Sequence, residues 1–98
     1  MSECCCKSKA MPRSEEEIKD LRTRLNRVTG QINGIQKMIE ENRYCGDVLI
    51  QLSASIQALK QVAYLIMDNH MRTCVATDLK EDKYESIEEM IGLIEKLR

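Results

Sequence analysis

Phenylalanine and tryptophan are missing from this chain, and tyrosine occurs three times in 98 residues. Any core must therefore be built from Leu, Ile, Val, Met and Ala. A single proline and four glycines suit helices joined by short turns. No run of about eighteen apolar residues occurs, which excludes a helical membrane span. The N-terminus lacks the apolar segment of a secretory signal, so a cytoplasmic location without membrane contact is expected. Neither sign of charge dominates, with 15 Lys and Arg against 16 Asp and Glu for a net of −1. Bulk composition thus does not announce a nucleic-acid binder, and such a role must rest on where the basic residues fall. Ninety-eight residues make one small domain at most, with little core available.

What is present begins with cysteine. Five cysteines without an export signal read as metal-binding or redox-active thiols rather than as disulfides. Three of them, Cys4, Cys5 and Cys6, stand in a row within residues 1–13, a polar stretch without periodicity that is expected to be a disordered tail. Adjacent cysteines do not match the spaced pairs of a zinc site. The tail thiols are either incidental or an auxiliary soft-metal binder, with the first favoured. Residues 14–98 are expected to form one helical domain.

The organising stretch is residues 47–79. Leu52, Ile56, Leu59, Ala63 and Ile66 step by fours and threes, one stripe of a helix. The stripe continues through His70, the only histidine, to Cys74 one turn later. Cys45 lies at the other end, 25 positions before His70, or roughly 37 Å along an unbroken helix at roughly 1.5 Å per residue. Cys45 cannot share an ion with His70 and Cys74 of its own chain on such a rod. Two copies packed antiparallel about a two-fold axis would bring them together.

Helix one precedes this stretch. Ser14 and Glu17 form a capping box with Glu15 to Glu17 at the positive end of the helix dipole. Ile18, Leu21, Leu25, Val28, Ile32, Ile35 and Ile39 then make a heptad-like seam for another helix. Gly30 and Gly34 lie off the seam and either admit a close backbone or are tolerated flaws. Arg24, Arg27 and Gln31 share a different face, where Asp20 can serve Arg24 and nothing serves Arg27. Such a row is usually a solvated face. An arginine row available to phosphate is also what an otherwise neutral DNA-binding protein needs. Residues 42–47 break the helices, with Asp47 expected to cap helix two. A charged link at 80–83 precedes helix three, which is expected from about Asp82 and striped by Tyr84, Ile87, Ile91 and Ile94. The fold expected is all-α, with three helices.

Taken singly, a cysteine or histidine on an apolar stripe is most often a core residue. Taken jointly, Cys45, His70 and Cys74 are a soft donor set suited to Cu(I) or Zn(II). Zinc wants a fourth ligand, and no fourth Cys or His exists outside the tail. A three-ligand site favours Cu(I). A ligating histidine donates its second N–H to a nearby oxygen, for which Tyr44 and a carboxylate of helix three such as Glu89 are candidates.

With RLNRVTGQINGIQKMIEENRYCGDVLIQLSASIQAL at 24–59 and His70-x-x-x-Cys74, the chain resembles the copper-sensing repressor family CsoR, within the wider CsoR/RcnR group. The resemblance runs from about Arg22 to the C-terminus, and Cys45, His70 and Cys74 fall on that family's Cys-His-Cys positions. It implies an antiparallel four-helix-bundle dimer that assembles into a flat tetramer and binds operator DNA. It also implies one Cu(I) per protomer, bridging two protomers, whose binding releases the DNA and derepresses copper-efflux genes. Arg24, Arg27 and Gln31 would contribute to the DNA face, with Lys60 as the basic residue of helix two. The family's outer glutamate would fall near Met90, so that Glu89 takes the role if the preceding link is one residue shorter, with Glu88 as the alternative. A copper chaperone is a further candidate partner.

Sister regulators sensing other signals remain as alternatives. The persulfide sensors lack the His ligand, the nickel and cobalt sensors carry more histidines than His70, and the formaldehyde sensors generally have an N-terminal Pro where this chain has Ser2. A copper buffer with no DNA role is a third class, suggested only by the Cys tail. An enzyme is not expected, since two thiols and one histidine on packed helices give no base held by an orienting group. Removing residues 1–10 should leave the number of tightly bound Cu(I) ions per chain unchanged in a chelator competition. A lower count would give the tail thiols a metal role.

Overall fold

The computed structural model describes residues 12–98, and these are helical throughout, with no strand among them. The expectation of a disordered tail carrying Cys4, Cys5 and Cys6 falls on residues 1–13, nearly all outside the described part. Four α-helices follow in order: α1 Glu15–Glu40, α2 Cys45–His70, α3 Ala76–Lys80 and α4 Glu85–Lys96. A π-helical turn, Met71–Val75, joins α2 to α3 without a break. The chain therefore has three helical rods, as the sequence predicts, the second being α2, the π-turn and α3 in series. Contacts within the chain fall into two compact units, residues 14–62 and 63–98.

In the first unit, α1 starts where its cap predicts. Ser14 sits in extended backbone and its hydroxyl accepts from Glu17 N–H at 3.1 Å, satisfying one of the orphan donors of the first turn. The helix ends in a Schellman turn. Arg43 N–H donates to the Met38 carbonyl at 2.9 Å and Asn42 N–H to Ile39 at 3.1 Å, with Asn42 left-handed at φ 54°. Asparagine takes the place glycine usually fills because its short polar side chain tolerates that region. α2 starts at Cys45, so Asp47 stands in its first turn instead of capping it, where a carboxylate still faces the positive end of the dipole. Gln31 of α1 and Ser55 of α2 are hydrogen-bonded and nearly equidistant from the turn, so the two helices return along each other as an antiparallel hairpin.

The seam of α1 divides. Val28 and Ile35 are buried within the hairpin, whereas Ile18, Leu25 and Ile32 are each 43% exposed and Ile39 is 59% exposed. Leu52, Ile56 and Leu59 of α2 are likewise exposed. Apart from Val28 and Ile35, most of the seam that the sequence offers to another helix therefore lies open on a single chain. Gly30 and Gly34 also face open space, with nothing within 4 Å of where a Cβ would be.

In the second unit, the rod turns into α4 by a repeat of the same device. Lys83 N–H donates to the Asp78 carbonyl at 2.7 Å and Asp82 N–H to Leu79 at 3.1 Å, with Asp82 left-handed at φ 58°. That conformation ends the helical path, and the last helix starts at Glu85 rather than near Asp82. Cys74, Val75 and Met90 are the buried apolar residues here, at 1%, 1% and 4% exposure. Met67, Met71, Val75, Ile87, Met90, Ile91 and Ile94 line an apolar groove between the rod and α4.

Replacing Asn42 with Gly should leave stability equal or raised, because glycine adopts positive φ without a Cβ clash. Asn42→Ala should cost about 1 kcal/mol, read as a lower denaturation midpoint.

Candidate metal centre and nucleic-acid interface

The three candidate ligands occupy contrasting places. Cys45 is the first residue of α2 and is exposed; His70 is the last residue of α2 and half-buried; Cys74 sits in the π-turn and is 1% exposed. Cys45 and Cys74 are both reduced thiols. Cys45 belongs to the first compact unit, His70 and Cys74 to the second. Among the described residues, no three His, Cys, Asp or Glu side chains of the chain form a group that could hold a metal ion.

The segment between His70 and Cys74 is not the α-helix that the stripe implies. Ala76 N–H donates to the Met71 carbonyl five residues back, the bond that defines a π-turn. Such a turn carries one residue more than α-helical winding and is frequent where a side chain must be re-aimed. Thr73, inside it, donates its hydroxyl to the Asn69 carbonyl at 2.8 Å, and the same oxygen lies 3.7 Å from Cys74 Sγ. Arg72 is turned outward, its Nε on both Asp68 carboxylate oxygens at 3.1 Å. Nothing in the sequence flags the π-turn, because apolar steps of three and four fit either winding locally.

Tyr44 and Glu89, the candidate hydrogen-bond acceptors for the histidine, lie in different units. Tyr44 is 75% exposed, and its ring folds over Gly46, where a Cβ would collide with it. That glycine therefore has a reason which the sequence does not announce. Glu89 is half-buried on α4, with Oε1 shielded from solvent. Met90, the next residue, is buried. Glu88 is exposed on the same helix.

The candidate DNA residues all lie in the first unit. Arg24, half-buried, pairs with the exposed Asp20 at 3.1 Å, an i,i+4 pair at the surface that is worth little in solution and readily exchanged for phosphate. Arg27 has no carboxylate partner among the described residues and is exposed. Gln31 is oriented by a contact the sequence does not suggest. Its Oε1 accepts from the buried Ser55 hydroxyl at 3.0 Å, which leaves the amide N–H groups available. Lys60, half-buried on α2, completes the set.

These residues sit on a recognisable framework. The family model of metal-sensitive transcriptional repressors matches residues 17–96, and the chain belongs to that family. It is accordingly a regulator and not an enzyme. Among individual members, the copper-sensing transcriptional repressor CsoR of Bacillus subtilis is 39% identical over 85 residues, covering 86% of this chain and 84% of that protein. The crystal structure of the copper-sensing repressor CsoR with Cu(I) from Geobacillus thermodenitrificans NG80-2 matches with a TM-score of 0.82 and 42% identity, covering 88% of this chain and 91% of that chain. The nickel-responsive transcriptional regulator InrS matches with a TM-score of 0.72 and 36% identity, covering 90% of this chain and all of that one. No helix of the described residues is long and apolar enough to cross a membrane.

If the arginine row meets phosphate, replacing Arg24 and Arg27 together with Ala should weaken operator binding. It should also reduce the slope of log affinity against log salt by about 2, at roughly 0.9 per phosphate contact. Anisotropy titrations at several salt concentrations measure this, and an unchanged slope would take both residues off the DNA face.

Proposed function

We propose that the chain is a Cu(I)-responsive repressor, bound to operator DNA as the apo-protein and released when Cu(I) binds. Copper-efflux genes are then derepressed. The observation that carries this reading is the donor set, held at Cys45, His70 and Cys74 on a family framework shared with Cu(I)-bound CsoR. Two thiolates and an imidazole are soft ligands, and Cu(I) is the metal content with three of them. The residues present fit that ion. Cys45 of one protomer with His70 and Cys74 of another would hold the ion, one per protomer, through two thiolates and one imidazole.

The exposed apolar residues support the two-chain site. Ile18, Leu25, Ile32 and Ile39 of α1 with Leu52, Ile56 and Leu59 of α2 form stripes of the kind that another helix pair covers. An antiparallel four-helix bundle of two protomers would bury them, and a tetramer of two such dimers would carry four sets of Arg24, Arg27, Gln31 and Lys60 for contact with DNA. Tyr44 and Glu89 would steady the ligating residues by hydrogen bonding. The site of action would be cytoplasmic, with a copper chaperone as one source of the ion.

The likeness to the nickel-responsive InrS makes nickel the competing signal. Nickel is better matched by several imidazoles, and the chain has one histidine in all.

A labelled duplex from the promoter upstream of this gene, bound by apo-protein and titrated anaerobically with Cu(I), tests the proposal by anisotropy. Release near one equivalent per chain is expected, with no release by Ni(II) or Zn(II). Cys45→Ala and Cys74→Ala should each abolish release while the apo-protein still binds DNA. Failure of Cu(I) to release bound DNA would overturn the sensor assignment, and absence of binding at low salt would overturn the repressor.

A further inference from the structure

The second unit buries two polar side chains as deeply as its apolar core. Ser86 is 1% exposed and Asp78 4%, beside Cys74 at 1% and Met90 at 4%. The Ser86 hydroxyl donates to Asp78 Oδ2 in a buried hydrogen bond. This bond spans the turn between α3 and α4. The Asp78 carbonyl secures the same turn from the other side, accepting from Glu81 N–H at 3.1 Å and from Lys83 N–H at 2.7 Å. One residue thus holds the turn with its main chain and the start of α4 with its carboxylate.

Stability alone does not explain such a pair. A buried carboxylate must surrender its hydration, and a hydrogen-bonded polar pair is on average no better than well-packed apolar side chains of like volume. A directional bond does supply register, which apolar packing leaves adjustable. Position gives that register a use. Asp78 lies four residues after Cys74, one turn further along the same rod, and Ser86 lies three residues before Glu89 on α4. The path from the buried thiol to the shielded Glu89 carboxylate therefore runs from Cys74 to Asp78, across one hydrogen bond, and along one turn to Glu89.

We propose that the Asp78–Ser86 hydrogen bond is a positioning contact that transmits metal occupancy at Cys74 to α4. Any shift of the π-turn when Cys74 takes up metal is handed to the first turn of α4 through a rigid link instead of being absorbed in the connecting turn. Neither residue belongs to the ligand set or to the DNA residues proposed above. The proposal rests on the copper-repressor reading above and adds residues to it that the ligand set does not include.

The test separates affinity from coupling. Asp78→Ala combined with Ser86→Ala removes the donor and the acceptor of this bond together, so neither is left facing an apolar replacement of the other. The apo double variant should bind the operator as wild type does and take one Cu(I) per chain with an affinity within about threefold. The factor by which Cu(I) weakens the operator complex should fall about tenfold, within the range of allosteric couplings. Asp78→Asn retains an acceptor for the Ser86 hydroxyl and should keep most of that factor. A merely structural role would lower the melting temperature and leave the factor alone. A wild-type factor in the double variant overturns the proposal, as does a loss in Asp78→Asn equal to that in the double variant. If the double variant does not fold, Ser86→Ala alone deletes the donor, and a wild-type factor in it is equally decisive. Failure of Cu(I) to release DNA from the wild-type protein would strike the copper reading itself, a distinguishable outcome.

Discussion

Everything in this small protein depends on the burial that one chain cannot complete. Among the described residues, the buried apolar side chains are only Val28, Ile35, Val62, Cys74, Val75 and Met90. Meanwhile Ile18, Leu25, Ile32 and Ile39 stand open along α1. Burying a fully exposed Leu or Ile side chain is worth about 1.5–3 kcal/mol. These four are about half exposed, so covering the stripe would add about 3–6 kcal/mol, comparable to the net stability of a marginal small domain. The pressure to cover that stripe would bring Cys45, exposed at one end of α2, into a second chain's reach. In this view assembly and metal sensing are consequences of the same shortage of core.

Much of this was legible in the sequence because helix periodicity and caps are local. Ser14 and Glu17 announce the start of α1, and the steps of three and four along α1 and α2 announce their apolar faces. What periodicity could not say is which neighbour a face meets. Val28 and Ile35 are buried within the chain, while Leu25 and Ile32, equally regular members of the seam, stay exposed. A spacing rule assigns all of them to a core and is silent on whose core it is.

The departures have a common cause, which is backbone bonding that side-chain patterns do not record. The π-turn at Met71–Val75 leaves the apolar steps intact while changing the winding between His70 and Cys74. The left-handed Asp82 delays α4 to Glu85, although the charged link around it was evident. Ser55 and Ser86 look like ordinary surface serines in the sequence. One fixes the Gln31 amide and the other is bonded to Asp78, and only the fold brings these partners together across 24 and 8 positions. The proposed ligand set rests on residue type and spacing, the two things a sequence states outright.

The wide turn also bears on how such a chain can change. A π-turn is an α-helix with one residue in surplus, and the surplus here falls between His70 and Ala76. Deleting one residue of Met71–Thr73 would remove that surplus and let the rod relax to ordinary winding, while the segments on either side keep their facing. The turn and the last helix would stay in register with the rod. What would change is the spacing of His70 and the thiol, from four positions to three. A single deletion there would thus re-aim the donor pair and spare the frame that carries it.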